Sequence, residues 1–242
     1  MTSAPLPPNE SDRLKALKDY HLLDTLPEDV YNDITRLASE ICRTPISVIS
    51  LIDKDRQWFK SKQRLKSDET PREYSFCAHA ILNPDEIFVV PDARLDDRFS
   101  DNPMTTGYPN IVFYAGVPLV NPDGYPLGTL CIIDNRPRTL TDNQLLSLQA
   151  LAKLVNTHFE LRKAKMELEN TKNQLNVVER TIGTSKDIVA ADVQPLIPLM
   201  LNRIEALINT NPRPDQVPHL TSLREVGYSL EKALQDLKTT SA

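Results

Sequence analysis

The most constraining feature of this sequence is a pair of apolar segments within residues 113–134, which read FYAGVPLVNPDGYPLGTLCIID. Tyr114–Val120 and Leu127–Asp134 have the composition of buried strands. The NPDG tetrapeptide between them predicts a tight turn in which Gly124 supplies a positive φ. A long helical pattern capped by Thr141 follows. A strand pair that leads into a departing helix is typical of a sensor, in which a pocket reports to a lever.

The composition indicates one full globular domain followed by a smaller helical part. The chain has 242 residues, of which 40% are hydrophobic and 25% are charged. A net charge of −5 without a basic stripe argues against nucleic acid as a partner. The sequence contains neither a run of about 20 apolar residues nor the apolar core of a signal peptide, so we expect no membrane partner and a cytoplasmic location. Cys42, Cys77 and Cys131 lie far apart and are odd in number, which argues against a disulfide framework.

Periodic patterns predict several elements before the strand pair. Residues 1–9 are rich in proline and predict a flexible leader. Helices are expected from Asp12 onward, over Glu28–Arg43, and over Phe76–Leu82 with Ser75 as its cap. Strands are expected at three further places: Ile46–Asp53, Gln57–Lys60 and Phe88–Val90.

The C-terminal third has a different, purely helical pattern. Apolar residues recur every seven positions and predict a dimeric coiled coil: Leu154, Leu161, Leu168, Leu175 and Ile182. Gly183 is expected to break that helix, and residues 183–240 predict a helical hairpin whose first helix is kinked at Pro195 and Pro198. Because one hairpin buries little apolar surface, we expect two copies to pack as a four-helix dimer.

Residues 8–162 resemble a GAF domain, of the bacterial group found in front of histidine kinases and cyclic di-GMP enzymes. The motifs that carry the resemblance are LDTLPEDVYNDITRLASEIC, ISVISLIDKDRQWFKS, YSFCAHAIL, FVVPDARLDDRFSDNP, FYAGVPLV and GTLCIIDNRPRTLT. The resemblance implies an α+β fold with an antiparallel sheet, helices on one side and a pocket on the other. With the periodic patterns, it predicts a leader at 1–9, a sensor domain at 10–160, a coiled-coil linker at 161–182 and a hairpin at 183–240.

The hairpin is similar to the dimerisation and phosphotransfer hairpin of histidine kinases. The likeness lies in VAADVQPL at 189–196, where Ala191 stands in place of the phosphoacceptor histidine. This departure predicts a degenerate hairpin without phosphotransfer. The sequence also lacks the glycine-rich motifs of a kinase ATP-binding domain, diguanylate cyclase motifs and a nucleophile–His–Asp set, so we expect no enzymatic activity.

Six residues are candidates for lining a ligand pocket, because pockets combine aromatic side chains with a few polar groups: Trp58, Phe76, Cys77, His79, Phe113 and Tyr114. Each aromatic residue also fits simple core packing. Cys77 fits a redox-sensing thiol, since it follows a helix cap, or a buried small residue. His79 fits a pocket-lining residue or a hydrogen-bonded, half-buried one.

The cofactor is unknown and none is required by the sequence. Bilin-binding relatives carry adjacent Cys and His, whereas Ala78 separates them here. No set of four ligands predicts zinc, so we expect no metal. Cys42 and Cys131 are interpreted as packing residues.

Three functional hypotheses remain. The first is a non-enzymatic sensor or scaffold in which a small molecule or a redox change in the domain acts through a dimeric coiled coil on the hairpin. The second is a phosphorelay component or a thiol-dependent reductase centred on Cys77. The third is an adaptor that binds a separate kinase or response regulator.

Overall fold

The structure is a computed structural model that describes residues 1–210 and 212–239, without the side chains of 182–190 and 237–239. It forms two compact units, Met1–Glu167 and Leu168–Ala242. We describe each unit by itself.

The first unit is built on a six-stranded sheet in which every neighbouring pair is antiparallel. Its spatial order is β3-β2-β1-β6-β5-β4. The central strands β1 and β6 are buried along their whole length, because both sheet faces are covered. The strands are β1 (Ile46–Ile52), β2 (Arg56–Gln63), β3 (Glu69–Pro71), β4 (Phe88–Val90), β5 (Phe113–Val120) and β6 (Pro126–Asp134).

Four α-helices of the first unit precede the long helix, and the last of them is a single short turn. They are α1 (Glu10–Asp19), α2 (Asp29–Cys42), α3 (Phe76–Ala80) and α4 (Pro103–Thr106). The long helix α5 (Asp142–Ile188) is followed by a π-helical turn (Val189–Val193), α6 (Leu196–Asn209) and α7 (Val217–Thr239). In the part of the chain that the structure describes, no helix is both long and apolar enough to span a bilayer.

Strand alternation divides the core of the first unit into two clusters, one on each sheet face. On the helical face, residues such as Leu51, Ala115 and Leu130 pack against α1, α2 and the first part of α5. On the opposite face, residues such as Val48, Tyr114 and Cys131 pack against α3 and the loops around it. We call these the helical face and the thiol face.

The predicted α+β fold is confirmed, and so is the turn between β5 and β6, where Gly124 has φ +85°. The sequence analysis did not predict β3, because its three residues are too few to show a periodic pattern. The predicted helix break at Gly183 is wrong, because α5 continues to Ile188. A single glycine costs a helix only about 1 kcal/mol, whereas Pro195 lacks the backbone donor that continuation requires, and α6 begins after it. The side chain of Ile182, the last predicted heptad position, lies outside the described residues.

Candidate functional site: a buried thiol pair under an aromatic cover

Two cysteines meet on the thiol face although 53 residues of chain lie between them. The Sγ atoms of Cys77 and Cys131 are 3.8 Å apart, and each residue is only 1% exposed. Cys131 points to this face because its strand neighbours Leu130 and Ile132 point to the other. Cys77 is brought over β6 by the start of α3, where the Oγ of Ser75 accepts a hydrogen bond from the Ala78 amide at 3.0 Å.

Tyr114 completes the polar centre of this face. Its hydroxyl donates to the Sγ of Cys77 at 3.2 Å, and its ring is fully buried. The ring lies along β5 over Gly116, where an added Cβ would be 2.2 Å from the Tyr114 hydroxyl oxygen. Gly116 therefore provides the space that lets Tyr114 reach the thiol.

The pair is electrostatically unequal. Burial raises the pKa of Cys77, but hydrogen bonds from Cys131, Ser50, Thr129 and Tyr114 outweigh it and hold that pKa below the ordinary thiol value. The hydrogen bond to Cys77, with burial, raises the pKa of Cys131 well above its ordinary value. Of the two thiols, Cys77 is therefore the one that loses its proton more readily.

An aromatic cover closes the outer side of the thiol face. Phe76 stacks on Phe99 with ring centroids 3.9 Å apart, and His79 meets Phe99 edge-on at 4.9 Å. The guanidinium of Arg98 lies 5.0 Å from the ring centroid of Phe88 and 5.2 Å from that of Phe99. These contacts fill the region in which the sequence predicts a ligand pocket.

The N-terminal segment adds to this cover. His79 Nε2 donates to the carbonyl oxygen of Thr2 at 3.0 Å, and the Thr2 amide donates to the carbonyl of Arg98 at 3.1 Å. Ala4 packs against the same cluster. Residues 1–9, which the sequence analysis interprets as a flexible leader, thus lie against the domain.

A small cavity remains beside Cys77. It measures about 10 Å³, which is room for about one water molecule. Its lining includes Gln57, Phe59, Met104 and Tyr114. The space is far below the 300–1,000 Å³ or so of a typical small-molecule pocket. Among the residues that the structure describes, no group of three or more His, Cys, Asp or Glu side chains could hold a metal ion.

The structure brings together four of the six predicted pocket residues: Phe76, Cys77, His79 and Tyr114. Trp58 and Phe113 lie in the core of the helical face, on the other side of the sheet. Alternation requires this, because Phe113 directly precedes Tyr114 on one strand and Trp58 directly precedes Phe59 on another. A ligand-binding role for the first four stays a prediction.

Sequence reasoning missed Cys131 as the partner of Cys77, and Phe99 as a stacking partner in the cover. Alternation placed Cys131 on one face of β6, but nothing in the sequence showed which loop would lie above it. Cys42, by contrast, is packed in the core of the helical face, where burial raises its pKa to about 11.

The helical face holds the start of α5 through a buried ring and a polar cluster. Phe159 packs against Tyr31 and Tyr20, with ring centroids 5.5 and 6.3 Å away, and the Tyr20 hydroxyl donates to the carboxylate of Glu160. The carboxylate of Glu28 binds two cations, Arg162 of α5 at 2.9 Å and Lys60 of β2 at 2.6 Å.

Lys60 is the buried partner in this cluster. Its side chain is fully buried, and its Nζ also donates to Thr25 Oγ1 at 2.7 Å and to the carbonyl of Leu26 at 2.9 Å. Burial lowers the pKa of Lys60, and Glu28 opposes that change. Glu28 therefore links the strand that carries Phe59 to the helix that leaves the domain.

The GAF domain family matches residues 26–159, which is more than half of the chain. The chain belongs to the GAF domain family. This membership gives it a signalling or sensory role.

Among proteins of known function, this GAF protein is similar to the cyclic di-GMP phosphodiesterase PA2567 of Pseudomonas aeruginosa. The two are 36% identical over 219 residues, which cover 87% of this chain and 36% of the relative. The chain thus spans about a third of the relative's length. Because the alignment covers so much more of the chain than the family match does, it takes in part of the helical region beyond residue 159.

Solved GAF structures are more distant. The GAF domain of an Acinetobacter phosphoenolpyruvate-protein phosphotransferase is 13% identical, with a TM-score of 0.48, over 65% of this chain and 96% of that one. The PixJ GAF domain of Thermosynechococcus elongatus, in its blue-light absorbing form, is 13% identical, with a TM-score of 0.46, over 67% and 96%.

The expectation of no enzymatic activity is wrong. A relative that aligns with 87% of the chain is named for an enzymatic activity, that of a cyclic di-GMP phosphodiesterase. Most of that relative's length lies outside the aligned part, so the motifs of a catalytic domain need not fall within the aligned residues. The likeness of the hairpin to histidine kinases is not confirmed by these comparisons and stays a prediction.

Proposed function

We propose that this chain acts in the hydrolysis of cyclic di-GMP, as the sensory part of a phosphodiesterase. The observation that supports this most directly is the 36% identity to the Pseudomonas aeruginosa phosphodiesterase over 87% of the chain. The GAF domain supplies the sensing unit, and the helices that follow it transmit the state of that unit.

The geometry offers a route from the thiol face to α5. Adjacent residues of β2 point to opposite faces, so Phe59 lines the cavity while Lys60 binds Glu28. Glu28 in turn binds Arg162. A shift of β2 caused by an event near Cys77 would move the carboxylate to which α5 is anchored.

In the proposed function, α5 transmits the signal as part of a dimer. Four of its heptad leucines are exposed, by 42% at Leu154 and 63% at Leu161 within the first unit and by 70% at Leu168 and 56% at Leu175 beyond it. A leucine at every seventh position is the pattern of a two-stranded coiled coil, in which such side chains interlock. A second copy of the chain would bury this stripe.

The second unit also has apolar side chains on its surface. α6 and α7 pack on each other through Leu201 and Gly227, where an added Cβ would lie 2.5 Å from a Leu201 methyl carbon. Leu196, Leu199, Leu223 and Leu230 nevertheless remain exposed. Two such hairpins in one bundle would cover these side chains, and a kinase or response regulator that carries a homologous hairpin is the alternative partner.

The proposed role is tested by measuring cyclic di-GMP in cells of the source organism. Deleting the gene is expected to raise the concentration, and the wild-type gene is expected to restore it. Arg162→Met should restore it incompletely, because α5 loses its anchor on Glu28. Arg36→Met is the matched control, since Arg36 forms an exposed pair with Asp33 on the outer surface of α2. An unchanged concentration after deletion would contradict the proposal.

The dimer is tested separately by sedimentation equilibrium at micromolar concentrations. The wild-type chain is expected to sediment as a dimer, and Leu161→Lys combined with Leu168→Lys as a monomer, because two charges would enter the apolar seam. A wild-type monomer would remove the coiled-coil part of the proposal and leave the sensory part in place.

A further inference from the structure

We propose that Cys77 and Cys131 are an oxidation site, at which a small hydroperoxide converts the two thiols into a reversible disulfide. The disulfide itself is argued from the geometry of the thiol face. Only its consequence for signalling rests on the proposed sensory role.

The distance between the two sulfur atoms favours this reaction. They are 3.8 Å apart, and a disulfide requires about 2.05 Å, so closure needs a movement of roughly 2 Å. Cys77 lies on α3, a helix of only five residues, whereas Cys131 lies on a central strand paired on both sides. The short helix is therefore the element that moves. Cys42 lies on the opposite face of the sheet and has no part in the pair.

The surroundings of Cys77 favour it as the attacking thiol. The Tyr114 hydroxyl and the Cys131 thiol both lie within hydrogen-bonding distance of its sulfur. Donors that point at a sulfur stabilise the thiolate, which is the nucleophile in reactions with peroxides. The Cys131 sulfur, 3.8 Å away, is placed to resolve the oxidised form.

The space around the pair selects the oxidant by size. Both cysteines are almost completely buried, and the cavity beside Cys77 holds about one water molecule. Hydrogen peroxide is only slightly larger than water. Bulky hydroperoxides and glutathione disulfide do not fit unless the domain opens.

The chemistry balances with hydrogen peroxide as the sole oxidant. The Cys77 thiolate attacks one peroxide oxygen, the O–O bond breaks, and the departing hydroxide takes up a proton to become water, which leaves a sulfenic acid. The sulfur of Cys131 then attacks the Cys77 sulfur. The S–S bond forms, the S–O bond breaks, and the hydroxyl leaves as a second water with the Cys131 proton. Two thiols lose two electrons, and one peroxide becomes two waters.

Closure has a defined structural consequence. Movement of Cys77 towards β6 would break its hydrogen bond with Tyr114 and shift Phe76, the preceding residue, out of its stack on Phe99. His79, on the same short helix, would pull on its bond to Thr2. The disulfide would thus disturb the aromatic cover. The helices on the other face of the sheet would keep their contacts with the same strands.

The test is peptide mass mapping of the full chain after treatment with hydrogen peroxide, with free thiols blocked under denaturing conditions. The wild-type chain is expected to lose two hydrogen atoms and to yield a linked Cys77–Cys131 peptide that a dithiol reductant separates. Cys42→Ser is the matched control and should give the same linked peptide. Cys131→Ser should instead retain oxygen on Cys77, because the resolving thiol is gone.

Two further measurements sharpen the test. Tyr114→Phe should slow formation of the linked peptide by about tenfold, because the thiolate loses a hydrogen-bond donor. A bulky alkyl hydroperoxide should react much more slowly than hydrogen peroxide with the wild-type chain and at a similar rate with the denatured chain.

The proposal is overturned if the wild-type chain shows no linked peptide, or if the link involves Cys42. Because the wild-type chain carries the decisive measurement, a variant that fails to fold does not obscure the result. A linked peptide that leaves cellular cyclic di-GMP unchanged after peroxide treatment would establish the site and separate it from phosphodiesterase control. No linked peptide together with a rise in cyclic di-GMP on gene deletion would refute the site and leave the proposed function standing.

Discussion

The two faces of the sheet are built from the same strands but have different kinds of core. The helical face is a broad layer of aliphatic and aromatic side chains, closed by Phe159 and by the cluster of Lys60, Glu28 and Arg162. The thiol face is smaller, is covered by stacked aromatic rings, and has two cysteines at its centre. One face holds the departing helix, and the other holds a buried thiol pair. In the proposed function, sensing and transmission are therefore separated by the thickness of one sheet.

The largest expected effect is on the helical face. Phe159→Ala should lower the free energy of unfolding of the first unit by about 3–5 kcal/mol, because it removes a buried ring that packs on Tyr20 and Tyr31. Denaturant titration followed by the fluorescence of Trp58, the only tryptophan, measures it. Leu146→Ala, at an exposed position of α5 outside the heptad stripe, is the control and should cost about 0.5 kcal/mol or less. Equal losses would show that α5 is not anchored through this face.

Removal of a buried ring on the thiol face should lower the free energy of unfolding less than Phe159→Ala does. Phe99→Ala is expected to lower the free energy of unfolding by about 3 kcal/mol, at the low end for buried phenylalanine, because half-buried His79 and Phe88 can move into the space. The same titration measures it. A loss greater than that of Phe159→Ala would reverse the ranking of the two faces.

A substitution in the polar cluster of the helical face should have a smaller effect on the free energy of unfolding. Glu28→Gln should lower the free energy of unfolding by about 1–2 kcal/mol, because the buried ammonium of Lys60 loses its counter-charge but keeps Thr25 and the Leu26 carbonyl as acceptors. The double variant Glu28→Gln with Lys60→Met should recover much of that loss. Full additivity of the two substitutions would contradict a direct pairing.

The smallest effect is a pH dependence on the thiol face. Burial and the nearby Arg98 lower the pKa of His79, against the opposing influence of the Thr2 carbonyl and Asp96. The unfolded chain therefore binds this proton more readily, so stability is full above about pH 6.5 and falls as the pH drops from there. His79→Gln should flatten that part of the stability profile between about pH 7 and 5 relative to wild type. An unchanged slope in the variant would show that a titratable group other than His79 causes this pH dependence.

Local patterns in the sequence predicted much of the fold. Apolar runs on either side of a turn in residues 113–134 predicted both strands, and the caps and apolar spacing predicted α2 and α3 to within two residues at each end. The alternation of side chains along a strand separates Phe113 from Tyr114 and Trp58 from Phe59, so the division of the pocket candidates between two faces was already present in the sequence. The pocket prediction grouped them by residue type and passed over that alternation.

Most of the elements, the faces of each strand and the family could be predicted from the sequence, because these depend on neighbours a few residues apart. Tertiary structure alone decided that Cys77 reaches Cys131, that Phe76, Phe99 and Tyr114 fill most of the expected pocket, and that Glu28 joins Lys60 to Arg162. Such contacts join residues far apart in the chain. They depend on how loops and a five-residue helix settle on the sheet, and the packing of the whole core sets those positions.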